Sequence, residues 1–281
     1  MNPTDEIRIE IQKLKKIPTL SYTAQKIISL TAKETTHLDE LVEIIERDPP
    51  IMSKVLGVAN IVYIGSYKPI TSVKDALLKI GFKSLKNIAL SIAVFSIFKP
   101  IETREESYKR LFRHSIITGI VSQIISEKYL NLEAEENFTA GALHDLGLLG
   151  IHFSFYEYFK KIESYISDGL SVLEAEKKAI NTTHSEVGKW IAEPWGLPEV
   201  LQDVIFLHHE NPKKSKNNSS TVALVHLSDY LAHELNYYPF KIKTPYDFKQ
   251  KEVYEILDLP TLEVIINDLT NLISTEDIES L

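Results

Sequence analysis

Apolar residues recur at helical spacing along nearly the whole chain, and no stretch sustains the alternation of a strand. Only ten glycines occur in 281 residues. This pattern restricts the chain to an all-α fold. The length exceeds the roughly 100–200 residues usual for one domain, so one large domain or two packed helical lobes is expected. An apolar content of 44% supplies enough side chains for a sizeable core.

The expected helices follow from punctuation and stripe. Pro18 breaks an initial helix, and a second runs from Ser21 to Ala32. Leu38, Leu41, Val42 and Ile45 mark a third. Asp48 before Pro49 and Pro50 reads as an N-cap with proline in the first turn, opening a helix to Val62. Ser72 caps a short helix ending at Gly81, a C′ glycine. Lys83 to Phe98 is a longer buried helix, and Pro100 closes an N-terminal lobe spanning residues 1–100. A second lobe, residues 101–235, holds helices over Tyr108–Tyr129, Phe138–Ile151, Phe153–Ser167, Val172–Ala179, Thr183–Ala192, Pro198–His209 and Thr221–Leu235. Asn211 to Ser220 is a surface loop. Residues 236–281 form a helical extension, with stripes at Val253, Ile256, Leu257 and at Leu262, Ile265, Ile266, Leu269.

Charge and residue usage narrow the function. The formal net charge of −8 argues against a general nucleic-acid binder, which needs a basic face. The absence of cysteine leaves only nitrogen and oxygen for any metal. The N-terminus lacks the layout of a signal peptide, and the longest apolar stretch, Ile88–Phe98, is too short to span a bilayer. A cytoplasmic protein without membrane contact is expected.

Several polar residues sit where a helix should be apolar. His144 and Asp145 interrupt the run from Phe138 to Gly150. His114 shares the stripe of Leu111, Ile117, Val121 and Ile125. His184 aligns with Val187 and Ile191, and His208 with Leu201, Val204 and Ile205, with His209 beside it. Asp229 falls in the stripe of Val222, Val225 and Ala232. Singly, each has an ordinary reading: a hydrogen-bonded core histidine, a helix-end pair at His208–His209, or an Asp229 satisfied by His226 or His233. Together, five histidines and two aspartates on five helices point to one polar site within an apolar bundle. Buried groups of this kind must be neutralised, and a divalent cation would do so. Five imidazoles disfavour magnesium and calcium, so iron, manganese, zinc and nickel are the candidates. His37 and His152 are assigned no role, and Lys213, Lys214 and Lys216 read as a solvated loop.

The order His114, His144-Asp145, Asp229 resembles the H…HD…D signature of the HD superfamily of metal-dependent phosphohydrolases. Two N-terminal runs resemble the hallmark of the HDOD family: Asp48-Pro-Pro-Ile-Met-Ser-Lys-Val-Leu-Gly-Val-Ala-Asn60, and Lys68-Pro-Ile-Thr-Ser-Val-Lys-Asp-Ala-Leu-Leu-Lys-Ile-Gly81. Leu85-Lys-Asn-Ile-Ala-Leu90 also fits, and the resemblance covers residues 10–235. It implies an HD-domain-like bundle and a bacterial signalling role through partner proteins. His184 and His208-His209-Glu210 resemble the further ligands of HD-GYP phosphodiesterases. On that analogy Asp145 bridges two ions, with His114, His144 and Asp229 on one and His184, His208 and His209 on the other. Such a pair would clamp a phosphate, so phosphohydrolysis of a nucleotide or phosphoester is the alternative activity. The chain departs from HD-GYP at Leu148, where that pattern has lysine, and at Asn211-Pro-Lys-Lys-Ser-Lys, where it has Gly-Tyr-Pro.

Overall fold

The computed structural model describes residues 3–13, 38–63, 68–98, 102–130 and 136–273, together with Thr23, Lys26, Ile27, Leu30 and Ile278 as single positions. The break at Pro18 and most of the Ser21–Ala32 helix lie outside the described residues. Fourteen α-helices are described: α1 (Pro3–Lys13), α2 (Leu38–Glu46), α3 (Pro49–Val62), α4 (Val73–Ile97), α5 (Glu105–Ile125), α6 (Asn137–Leu143), α7 (Leu146–Ser154), α8 (Tyr156–Ser167), α9 (Val172–Ile180), α10 (His184–Ala192), α11 (Glu199–Leu207), α12 (Ser219–Glu234), α13 (Gln250–Tyr254) and α14 (Leu262–Leu272). No strand occurs among the described residues, so the protein is an all-α bundle, as the periodicity predicts. The chain divides into two compact units, one of Met1–Ile17 with Pro100–Pro260, the other of Pro18–Lys99 with Thr261–Leu281.

In the second of these units, α3 starts as expected, with the Asp48 carboxylate accepting the Ile51 N–H at 3.2 Å. Asn60 then fastens the following segment. Its amide donates to the Leu56 and Ile70 carbonyls at 2.9 and 3.0 Å, and its oxygen accepts the Ile70 N–H at 2.6 Å. Ser72 caps α4 through the Asp75 N–H. Gly81 breaks α4 into two helical stretches, as the sequence reading expects of a glycine at the end of the first. It adopts φ 79° and ψ 167°, and the helix resumes beyond it to Ile97. The positive φ, which glycine adopts without steric cost, ends the first stretch and kinks the chain into the second. By length and composition α4 could cross a membrane, yet half of its apolar window is buried within the chain, as in the core helix of a bundle.

The first unit carries the polar residues of interest, and glycine permits close helix crossings within it. A Cβ on Gly141 of α6 would lie 2.7 Å from the Thr118 carbonyl and 2.8 Å from the Gly119 Cα of α5. A Cβ on Gly147 of α7 would lie 1.8 Å from the His184 carbonyl and 2.7 Å from the Gly188 nitrogen of α10. These approaches draw four helices around one point.

His152, given no role from the sequence, is a core histidine on α7. It is buried against Ser107, whose Oγ lies 2.8 Å from Nε2, and against the rings of Tyr156 and Phe159. Burial first, and then Arg104 and Arg110, push its pKa down to about 4. A histidine depressed in the folded state stabilises fully above its unfolded pKa near 6.5, and that stability drains away as pH falls toward about 4. In this window the wild type should lose up to about 1.4 kcal/mol per pH unit more than His152→Gln. Urea midpoints across pH 4–7 check this; parallel curves for the two proteins would refute it.

Candidate metal centre

Local sequence places each polar residue. Thr183 and Glu186 form a capping box, Glu186 Oε2 accepting the Thr183 N–H at 3.3 Å and Thr183 Oγ1 accepting the Glu186 N–H at 3.4 Å. This sets His184 as the first residue of α10. His208 follows the last turn of α11, and its carbonyl accepts a hydrogen bond from His226 Nδ1 at 2.5 Å. His114 lies in α5 and Asp229 in α12, each on its buried face.

The expected single helix over Phe138–Ile151 is instead two helices, broken at His144–Asp145. Asp145 takes φ −91° and ψ 24°, in the bridge region between helix and strand. The break turns its carboxylate toward the point where α5, α10, α11 and α12 converge. The apolar pattern is continuous through this point, which is why periodicity missed it.

All seven sequence-selected residues come together. One Asp145 oxygen, Oδ2, lies 3.5 Å from His114 Nε2 and 3.4 Å from His144 Nε2. The other, Oδ1, lies 3.3 Å from His184 Nε2 and 3.7 Å from His208 Nε2. Asp229 Oδ1 is 3.1 Å from His114 Nε2 and 3.7 Å from His144 Nε2. His209 joins through its ring, 4.2 Å from that of His208 and 4.9 Å from that of His184. Of the seven, only His209 is partly exposed. His114, His144 and Asp229 can hold one ion, and His184, His208 and His209 another.

Four of the five imidazoles share one orientation. Nδ1 of His114 donates to the Tyr237 carbonyl at 2.8 Å, and Nδ1 of His144 to the Gly141 carbonyl at 2.6 Å. Nδ1 of His208 lies 3.1 Å from the Val204 and Ile205 carbonyls. Nδ1 of His184 donates to the Glu176 carboxylate at 2.8 Å, which also accepts the His184 N–H at 3.0 Å. Each ring thus fixes its tautomer outward and turns Nε2 inward, the arrangement that prepares histidine for a metal.

The inward atoms also test whether a cation fits. His114 donates from Nδ1 and turns Nε2 inward, and 3.1 Å away stands a carboxylate oxygen of Asp229. Ring nitrogens and carboxylate oxygens thus converge in a buried site. His114 Nε2, His144 Nε2 and Asp229 Oδ1 all lack a hydrogen-bond partner. Each such group costs about 1–3 kcal/mol, and a shared divalent cation relieves all three.

Without a cation, protons carry the charge balance. Burial opposes protonation of His144, but Asp145 and then Asp229 outweigh it and raise the pKa to about 9. Burial also opposes the charged His184, yet Glu176 and Asp145 raise it. Burial drives His208 down to about 4 despite Asp145. Burial, with His208 and His184 adding to it, pushes His209 well below the usual range. For Asp145 and Asp229 burial favours the neutral acid, but the surrounding histidines hold both carboxyls well below the usual carboxylate range. Inward-facing protons on His144 and His184 must leave before a cation enters.

Two residues of the site escaped sequence reasoning. Glu176 is fully buried on α9. Its signal was present, since it falls in the stripe of Val172, Ala175 and Ala179. Tyr246, whose hydroxyl donates to Asp229 Oδ2 at 2.6 Å, lies in an irregular segment that carries no periodic signal. The Asn211–Ser220 loop is tied to Asp203, which accepts from Ser215 Oγ at 2.6 Å and Asn218 Nδ2 at 2.9 Å. Its lysines pair outward, Lys213 with Glu255 and Lys214 with Glu210. A cavity of about 80 Å³ adjoins the centre, lined by His114, Asp145, His184, His209 and Asp229, with Leu148, His233, Thr244 and Tyr246 among its other walls.

Comparison with known proteins gives a consistent picture. The structure of an HDOD domain protein with unknown function from Geobacter sulfurreducens matches with a TM-score of 0.74 and 21% identity, over 98% of this chain and 97% of that one. A structure from Shewanella amazonensis SB2B, described as a "Putative metal-dependent phosphohydrolase", matches with a TM-score of 0.66 and 18% identity, over 100% and 99%. A curated but uncharacterized protein of Treponema pallidum (strain Nichols) is 21% identical over 221 residues, and the match spans 77% of this chain and 42% of that relative's length. At these identities the structural likeness speaks for the fold. The HDOD domain model matches residues 17–211, more than half of the sequence. The chain belongs to the HDOD domain family.

Proposed function

We propose that this is a bacterial cytoplasmic signalling protein that holds two divalent ions, iron or manganese in preference to zinc or nickel, and acts through partner proteins. The observation that carries the metal half is the placement of Asp145. Its two oxygens face different imidazole pairs, His114 with His144 and His184 with His208. That is what a bridging carboxylate requires. When bound, such a pair supplies Lewis acidity toward an anionic ligand. The chain's own residues orient the rings, exclude water from most of the centre and keep its two aspartates ionised.

The signalling half is supported by what the cavity lacks. Among the described residues no lysine or arginine lines it, and Leu148, which is buried, forms part of its wall. A phosphoryl-transfer site ordinarily adds such cationic clamps to its metals. A second reading, phosphohydrolysis, is favoured by one feature: the cavity reaches His114 and Asp229 as well as His184 and His209, with Asp145 between them.

A panel of cyclic nucleotides and phosphoesters separates the two readings. The metal-replete full chain should give no turnover that depends on Asp145. Turnover that disappears in Asp145→Ala would transfer the assignment to the phosphohydrolase reading.

A further inference from the structure

Of the four rings that turn Nε2 inward, three lean on backbone carbonyls: His114 on Tyr237, His144 on Gly141, and His208 on Val204 and Ile205. His184 alone leans on a charge. The two Glu176 oxygens lie 2.8 and 2.9 Å from its Nδ1, and one of them also accepts the His184 N–H at 3.0 Å. A single side chain therefore holds both the ring and the backbone of this residue.

Local sequence sets up the grip. Asn181 ends α9 in the left-handed region, at φ 57°, and Thr183 then caps α10. The short connection brings Glu176 onto His184, its neighbour at a separation of 8 residues. The placement is costly without a purpose. Glu176 is fully buried, and among the described residues it has no lysine or arginine partner. A carboxylate taken out of water needs a positive charge close by.

The two ligand sets show where that charge would sit. His114, His144 and Asp229 include a carboxylate of their own besides the shared Asp145. His184, His208 and His209 include none. Among the described residues, Asp145 alone brings a carboxylate against the inner nitrogens of His184 and His208. Glu176 supplies the second anion from behind the ring. A carboxylate that accepts the Nδ1 proton makes Nε2 the stronger metal ligand.

We infer that Glu176 is a positioning residue that acts on one ion alone: through the His184 ring it orients and strengthens the set of His184, His208 and His209. The inference rests on the two-ion reading above. Without Glu176 the two sets are unequal, and at limiting metal the chain holds a single ion, at His114, His144 and Asp229. That ion feels the loss only through the shared Asp145.

Calorimetric titration of the metal-free full chain with Mn(II) tests this, with Glu176→Gln and Glu176→Met beside the wild type. Both replacements match glutamate in length. The Gln variant keeps an acceptor for the ring and loses the charge; the Met variant loses both. The wild type should bind two ions. In Glu176→Gln one ion should weaken about 10- to 100-fold, and the other should stay close to the wild type. Glu176→Met should weaken the same ion further. Paramagnetic resonance at a Mn(II) concentration between the two affinities of Glu176→Gln should show a magnetically coupled pair in the wild type and isolated ions in the variant. Two ions unmoved by either substitution overturn the inference, as does an equal loss at both. Gln and Met variants that bind alike, with affinities that follow their urea midpoints, mark a packing role and also overturn it. A wild type that takes up fewer than two ions removes the two-ion reading and this inference with it.

Discussion

Replacing Asp145 by alanine will strip the centre of metal. This side chain alone faces both imidazole sets, at 3.3–3.7 Å from four Nε2 atoms. Loss of a partner that only supports a ligand costs about 10- to 100-fold in metal affinity. Loss of the shared carboxylate should cost on the order of a hundredfold or more at each ion. Asp145→Asn, which keeps the shape and removes the charge, should fall between the variant and the wild type. Metal analysis of the three proteins, purified in parallel, reads this directly. An alanine variant that retains its full complement of ions would contradict the bridging role. The substitution also removes the anion that most strongly raises the His144 pKa. Breaking a buried charged pair in this way costs about 3–5 kcal/mol, so the metal-free variant should be less stable than the metal-free wild type.

The largest effect on folding is expected from Gly147→Ala. A methyl group there would stand 1.8 Å from the His184 carbonyl and 2.7 Å from the Gly188 nitrogen. Both obstacles are backbone, so no rotamer change gives relief, and α7 and α10 must move apart. Overpacking of a core commonly costs about 1–3 kcal/mol; here a loss of about 3 kcal/mol or more is expected. His184 would also withdraw from Asp145, so metal content should fall with stability. Gly150→Ala on the same helix supplies the contrast. Its Cβ would meet Ile191 Cδ1 at 2.6 Å, the end of a flexible side chain that can turn aside. Urea midpoints should therefore rank wild type above Gly150→Ala and that well above Gly147→Ala. Equal midpoints for Gly147→Ala and wild type would refute the close crossing.

These two substitutions mark what a one-dimensional pattern can and cannot carry. His114 and Asp229 were legible because each stands in a helical stripe whose other members are apolar, and a polar residue there is conspicuous. His184 was legible for the same reason. Glu176 broadcast the same signal from α9. The turn at His144–Asp145 was not legible, since the residues on either side keep one unbroken helical pattern. Its cause is tertiary: the carboxylate faces rings delivered by three other helices. The break at Gly81 was legible, because a glycine between two apolar helical stripes is the residue that takes a positive φ where the first helix ends. The irregular segment from Tyr237 to Lys249 was least legible of all. It meets the centre and its supports through the Tyr237 carbonyl, which accepts from His114, and the Lys249 N–H, which donates to His226, and main-chain groups leave no trace in residue type.

Pairing across the seven residues is therefore the central claim, and metal content tests it most directly. The full chain, purified anaerobically and then equilibrated with Fe(II) or Mn(II), should carry about two ions per chain, as seven ligands, one of them a bridging carboxylate, require. A chain that is folded by circular dichroism and remains metal-free after that equilibration would contradict the account.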